Sequence, residues 1–179
     1  MFLSGVLDQT FKKLKSQTAN LITLSNLSLG GFAIISVLHN QLHLSLILIF
    51  IAALTDRFDG LVARKLNIES ELGKQLDSMS DIISFGVAPA LLMYTAVLSQ
   101  FDYPGMVFSI LYVACGAYRL ARFNISENDG YFTGLPITAA GCLLTLSYLL
   151  IPFVSSVLIV CMTITLSVLM VSPFTLKKM

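Results

Sequence analysis

The sequence predicts an all-α integral membrane protein with six transmembrane helices and an N-terminal amphipathic juxtamembrane helix. Three observations carry that prediction. Hydrophobic residues make up 56% of the 179 residues and mean hydropathy is +0.84, values that suit a chain with lipid as solvent. The apolar residues fall into six runs, each near the length that crosses ~30 Å of hydrocarbon. The basic residues cluster so that six crossings put all of them on one side of the bilayer.

In chain order, residues 1–19 form an interfacial segment and 20–179 a single six-helix membrane domain. Within 5–18, Val6, Leu7, Phe11 and Leu14 share one helical face, with Lys12, Lys13 and Lys15 elsewhere. That pattern suits a helix lying on an anionic membrane surface; a solvated basic tail is the alternative. The spans follow at about 20–38, 43–64, 75–98, 105–123, 134–151 and 154–172. Most are apolar on both faces, as expected in lipid. Pro136 suits the first turn of the fifth span.

Charge placement sets the topology. Lys12, Lys13 and Lys15 precede span one, and Arg57, Arg64, Lys65 and Lys74 flank the connection between spans two and three. Arg119 and Arg122 end span four, and Lys177 and Lys178 end the chain. The opposite loops, around His39–His43, Gln100–Pro104 and Pro152–Val154, carry none. The positive-inside rule then places both termini in the cytoplasm, and an odd number of spans would break the segregation. No charged region leads into an apolar run and a small-residue cleavage site, so no cleaved signal peptide is expected.

Other chemistries are excluded. A net charge of +1 gives no reason to expect nucleic-acid binding. Cys115, Cys142 and Cys161 have neither CxxC spacing nor histidine neighbours, against a disulfide or metal role. His39 and His43 stand at i,i+4 on the far side, but with no third ligand they read as a solvated loop.

The informative stretch is Asp56-x2-Asp59-Gly60-x2-Ala63-Arg64-x8-Gly73-x3-Asp77-x3-Asp81. An aspartate near the middle of a membrane helix costs about 2.5–3.5 kcal/mol, and four without partners roughly 10 kcal/mol. Asp56, Asp59, Gly60 and Ala63 line one stripe at the end of span two; Gly73, Asp77 and Asp81 line another at the start of span three. A tight antiparallel return lets the stripes face each other and converge the carboxylates. Asp56 lies about 13 residues into its span, so roughly 20 Å from the outer end and within reach of the cytoplasm. An all-carboxylate set suits hard divalent cations such as Mg²⁺, Mn²⁺ or Ca²⁺. Four carboxylates can bridge two such ions, the arrangement that clamps phosphoryl oxygens. Gly60 and Ala63 suit either helix packing or close approach of a flat polar ligand. Arg64 and Lys74 would supply charge for phosphates, interfacial anchoring being the alternative for Lys74. The small residues and arginine favour a phosphate-bearing ligand over a divalent-cation pathway.

This pattern, with its spacings intact, resembles the signature of the CDP-alcohol phosphotransferase family. The resemblance implies a six-helix membrane enzyme, usually a homodimer, that displaces CMP from a CDP-linked lipid by an alcohol. It implies that Asp56, Asp59 and Asp77 hold two divalent ions, Mg²⁺ or Mn²⁺, and that Asp81 adjoins those metals and acts as general base. Gly60, Ala63, Arg64 and Gly73, with Asn26 of span one, would contact the CDP moiety. Asp77-Ser78-x2-Ser80-Asp81-x2-Ser84-Phe85-Gly86-Val87-Ala88-Pro89 is similar to the phosphatidylserine synthase branch. So are Tyr118-Arg119-Leu120-Ala121-Arg122-Phe123-Asn124, Gly134-Leu135-Pro136 and Thr23-Leu24-x-Asn26. These cover most of residues 20–141; the later spans are only generically apolar.

The branch implies CDP-diacylglycerol and L-serine as substrates, in the cell inner membrane with the active site facing the cytoplasm. Serine needs a fork-shaped donor for its carboxylate, and Arg119 and Arg122, at i,i+3, can supply one. Pro89 removes the amide that would bond the Phe85 carbonyl, so a free acceptor is expected beside Ser84 and Phe85 for an ammonium or hydroxyl. Two alternatives stay open: another acceptor, such as glycerol 3-phosphate or an inositol phosphate, and a divalent-cation transporter.

Overall fold

This computed structural model describes the backbone of residues 2–66, 71–125, 131–173 and 175–177, and the side chains of 20–58, 71–125 and 134–173. The first helix, α1, runs unbroken over Phe2–Leu38. The backbone therefore passes from the expected interfacial segment into the first span without a joint. The side chains of residues 5–18, on which the amphipathic reading rests, lie outside the described residues. Asn40 ends the helix by taking a left-handed conformation (φ 58°), with its N–H on the Val37 carbonyl and the Gln41 N–H on the Ser36 carbonyl. That double bond satisfies carbonyls left over at a helix end, and asparagine tolerates the geometry.

Helix α2 covers Leu42–Leu66. Then comes a rod over Glu71–Ala96, built of α3 (Glu71–Asp81), a π-helical turn (Ile82–Val87) and α4 (Ala88–Ala96). The π turn has a local cause. Pro89 has no N–H for the Phe85 carbonyl, and its ring crowds that oxygen. The helix widens, and the Ala88 N–H reaches back five residues to the Ile83 carbonyl.

A 3₁₀ turn (Leu98–Phe101) leads into α5 (Asp102–Ile125). Helices α6 (Ile137–Leu150) and α7 (Ser156–Val171) complete the bundle. Two short strands, β1 (Tyr131–Thr133) and β2 (Thr175–Lys177), pair antiparallel and tie the connection before α6 to the end of the chain. The fifth helical run begins later than expected. Gly134 takes φ 75° and Pro136 is extended at the N-cap rather than in the first turn, so helix starts only at Ile137.

Among the described residues, Asn20–Leu38, Glu71–Ala96 and Leu98–Ile125 are long and apolar enough to cross a membrane. The apolar helices Ile137–Leu150 and Ser156–Val171 are shorter, about 21–24 Å at 1.5 Å per residue.

The π turn sits at the centre of the packing. It touches α1, α2, α5 and α6 as well as the two helices it joins. Phe85, Leu92, Met93, Tyr112, Ile137 and Leu144 are fully buried around it. Outward residues such as Leu38, Ile110, Phe153 and Val157 are exposed and apolar, as a lipid-facing surface requires. Gly30 is where α1 meets the turn: a Cβ there would overlap the Ser84 hydroxyl and lie 2.9 Å from the Ser84 Cα. A Cβ at neighbouring Gly31 would meet nothing within 4 Å. Gly30→Leu is therefore expected to destabilise by about 1–3 kcal/mol, lowering the melting temperature in detergent, while Gly31→Leu leaves it near wild type. Equal melting temperatures for the two variants would contradict this packing.

Candidate active site

Helices α2 and α3 bring three carboxylates together. Oxygens of Asp56, Asp77 and Asp81 lie within 4.8 Å of one another, the one such cluster of potential metal ligands among the described residues. Asp77 and Asp81 stand one turn apart on the same face of α3. Asp56 reaches them because α1 braces both partners. Asn26 of α1, fully buried, donates from Nδ2 to Asp56 Oδ1 at 3.5 Å, a long bond. The Ser84 hydroxyl donates to the Asn26 carbonyl at 3.1 Å and the Ser80 hydroxyl to the Thr23 carbonyl at 3.3 Å.

The cluster is graded in exposure. Asp77 is exposed, Asp56 half-buried and Asp81 buried at 8%. The buried Oδ1 of Asp81 has no hydrogen-bond partner. A buried carboxylate oxygen in that state is costly unless an ion or donor meets it. Arg119 lies within Coulombic range of Asp81, and its own buried Nε also lacks a partner. The donor set is all oxygen, open on the Asp77 side and orphaned at its buried end. These residues fit a hard divalent cation.

The other expected site residues divide. Asp59, Gly60, Ala63 and Arg64 ride on the helical backbone of α2, and their side chains lie outside the described residues. Gly73 sits in the first turn of α3, four residues before Asp77. Lys74 pairs with Glu71 at 3.6 Å, both side chains well exposed, a contact of small energetic weight.

Three expectations need correction. The Phe85 carbonyl is not a free acceptor: the Tyr112 hydroxyl donates to it at 3.1 Å. Gly141 of α6 also presses on it, since a Cβ there would lie 2.7 Å from that oxygen. Proline did orphan the carbonyl, but α5 supplies the donor from within the core. Ser84 is likewise fully buried with its hydroxyl turned to α1, so it braces the cluster from behind. Arg119 and Arg122 do not form one fork. Arg119 borders the core, with its guanidinium 5.7 Å from the Phe123 ring centre. Arg122 is exposed and lines a shallow surface depression with Tyr118, Ala121 and Ile125. Residues three apart on a helix differ by about 60° around its axis, enough to split them between faces.

Sequence reasoning missed Tyr112 and Asn124. Asn124 Nδ2 donates to the Ser78 hydroxyl at 2.9 Å, joining the end of α5 to α3 between the two aspartates. The orphaned carbonyl behind Pro89 was itself the signal that a buried donor such as Tyr112 had to exist.

The family profile described as CDP-alcohol phosphatidyltransferase matches residues 16–171. The chain is 40% identical over 154 residues to a protein of Bacillus subtilis named CDP-diacylglycerol–serine O-phosphatidyltransferase, covering 85% of each. It is 41% identical over 167 residues to the archaetidylserine synthase of Methanothermobacter thermautotrophicus, covering 90% of this chain and 70% of that one. A Helicobacter pylori protein with the same name as the Bacillus one is 44% identical over 134 residues, 73% of this chain and 56% of its own length.

Proposed function

The chain belongs to the CDP-alcohol phosphatidyltransferase family, and from that premise we propose that it transfers the phosphatidyl group of CDP-diacylglycerol to the hydroxyl of L-serine. The products are phosphatidylserine and CMP. The observation that carries this reading is the meeting of Asp56, Asp77 and Asp81 within 4.8 Å. Serine as acceptor is supported by the relatives, whose names specify serine although their lipids differ. CMP release from CDP-diacylglycerol should be fastest with L-serine in a panel that includes glycerol 3-phosphate and inositol phosphate. Release with one of those and none with serine would reassign the acceptor.

Asp56, Asp59, Asp77 and Asp81 would hold two divalent ions, Mg²⁺ or Mn²⁺. Ions there supply Lewis-acid neutralisation of the diphosphate and of the departing CMP oxygen. Asp81 accepts the proton of the serine hydroxyl as that oxygen attacks the β-phosphorus. The bond from that phosphorus to the CMP oxygen breaks, and CMP leaves with the electron pair. Asn26, Gly60, Ala63, Arg64 and Gly73 contact the CDP moiety.

Arg119, beside Asp81, receives the serine carboxylate, and Arg122 on the outer face serves the lipid phosphate. Ser84 and Phe85 act by shaping the wall behind the site. Arg119→Ala is expected to raise the serine KM about tenfold or more with a smaller change in kcat. An unchanged serine KM in that variant would remove Arg119 from the carboxylate site.

The chain is an integral membrane protein. Its six helical rods are taken as six spans, with the N-terminal part of α1 on the membrane surface. Both termini and the site face the cytoplasm, in the inner membrane, and the family resemblance supports a homodimer.

A further inference from the structure

The π turn lies between the aspartates of α3 and the rigid apolar rod of α4. An extra residue in one helical turn rotates everything before it by about 100° relative to everything after it. With α4 anchored in the core by Ala88, Leu92 and Met93, the turn sets the direction in which Asp77 and Asp81 point. If it relaxed to α geometry, both carboxylates would swing away from Asp56. Two contacts oppose that relaxation at Phe85. The Tyr112 hydroxyl donates to its carbonyl at 3.1 Å, and Tyr112 is fully buried, so no water competes for the bond. Gly141 admits the α6 backbone against the same carbonyl, where a Cβ would lie 2.7 Å away.

We propose that Tyr112 is a positioning residue: its hydroxyl holds the π turn open and thereby fixes Asp77 and Asp81 against Asp56 for divalent-cation binding. Tyr112 touches neither substrate nor ion; it acts through the Phe85 carbonyl and the helix register. The inference rests on Asp56, Asp77 and Asp81 being the cation ligands.

The test is Mn²⁺ binding to the purified full chain in detergent, read from the paramagnetic resonance of free Mn²⁺ without either substrate, so a wrong acceptor alcohol leaves it untouched. Tyr112→Phe removes one oxygen and is expected to weaken Mn²⁺ binding about tenfold, with kcat falling and the serine KM unchanged. A second variant guards against general loss of packing. Pro89→Ala restores the N–H that α geometry aims at the Phe85 carbonyl. It is expected to weaken Mn²⁺ binding while keeping or raising the melting temperature. Wild-type Mn²⁺ affinity in Tyr112→Phe, even with a lowered melting temperature, would overturn the proposal, as would wild-type affinity in Pro89→Ala. Failure of the wild-type chain itself to bind Mn²⁺ would overturn the carboxylate assignment beneath it.

Discussion

Asp81→Asn should lower CMP release by about 10²–10⁴-fold at saturating serine and CDP-diacylglycerol, the range that removal of a general base produces. Asparagine matches aspartate in shape, so the buried position and the bracing of α1 on Ser80 and Ser84 survive. What is lost is the ability to take a proton. Asp81 is the group for that task because it is the deepest of the three carboxylates and has an oxygen with no partner in the fold. Arg119 sits within Coulombic range, so a serine whose carboxylate rests on the guanidinium brings its hydroxyl toward Asp81. A kcat defect with little change in either KM fits a group used in the transition state. Full turnover by Asp81→Asn would end the assignment.

Asp56→Asn should separate stability from activity. Two carboxylates about 4.8 Å apart repel by roughly 3 kcal/mol at an effective dielectric near 20. Without divalent ions, neutralising one member relieves that repulsion. The variant in chelator is therefore expected to melt above the wild type in chelator. Wild type should gain stability as Mn²⁺ is added, by about 2.7 kcal/mol when the ion stands at a hundred times its dissociation constant. Asp56→Asn should lose most of that gain and nearly all CMP release. This is the trade expected where a site stores repulsion for function. Thermal scans of both proteins with chelator and with Mn²⁺ decide it. Equal metal stabilisation in the two would show that Asp56 is not a ligand.

Much of this was legible from spacing alone. Asp77 and Asp81 at i,i+4, with Asp56 on the preceding helix, specify two carboxylate stripes wherever those helices meet, and the helices do meet. The helical runs followed from apolar length. Their ends did not: Gly134 and Pro136 delay α6 because a positive φ and an extended proline cannot enter a helix. The role of α1 as a brace was also hidden. Asn26 could be read as a ligand contact, but its 3.5 Å bond to Asp56 is a long-range fact that no local pattern encodes. The Phe85 carbonyl shows the limit most clearly. Local chemistry said it would lose its helical donor, which holds; only the packing of α5 against the turn reveals that Tyr112 replaces it. Arg119 and Arg122 were separable in principle, since Leu120 and Gly116 mark the core face of α5. Their shared charge suggested a shared role that helix geometry does not support.

The most direct measurement is incorporation of labelled L-serine into lipid by the purified protein supplied with CDP-diacylglycerol, with CMP counted in the same reaction. One CMP per phosphatidylserine, dependent on added Mg²⁺ or Mn²⁺ and abolished by Asp81→Asn, is the predicted result. Serine incorporation that persists in chelator, or CMP released without labelled lipid, would contradict a carboxylate-held cation site transferring the phosphatidyl group to serine.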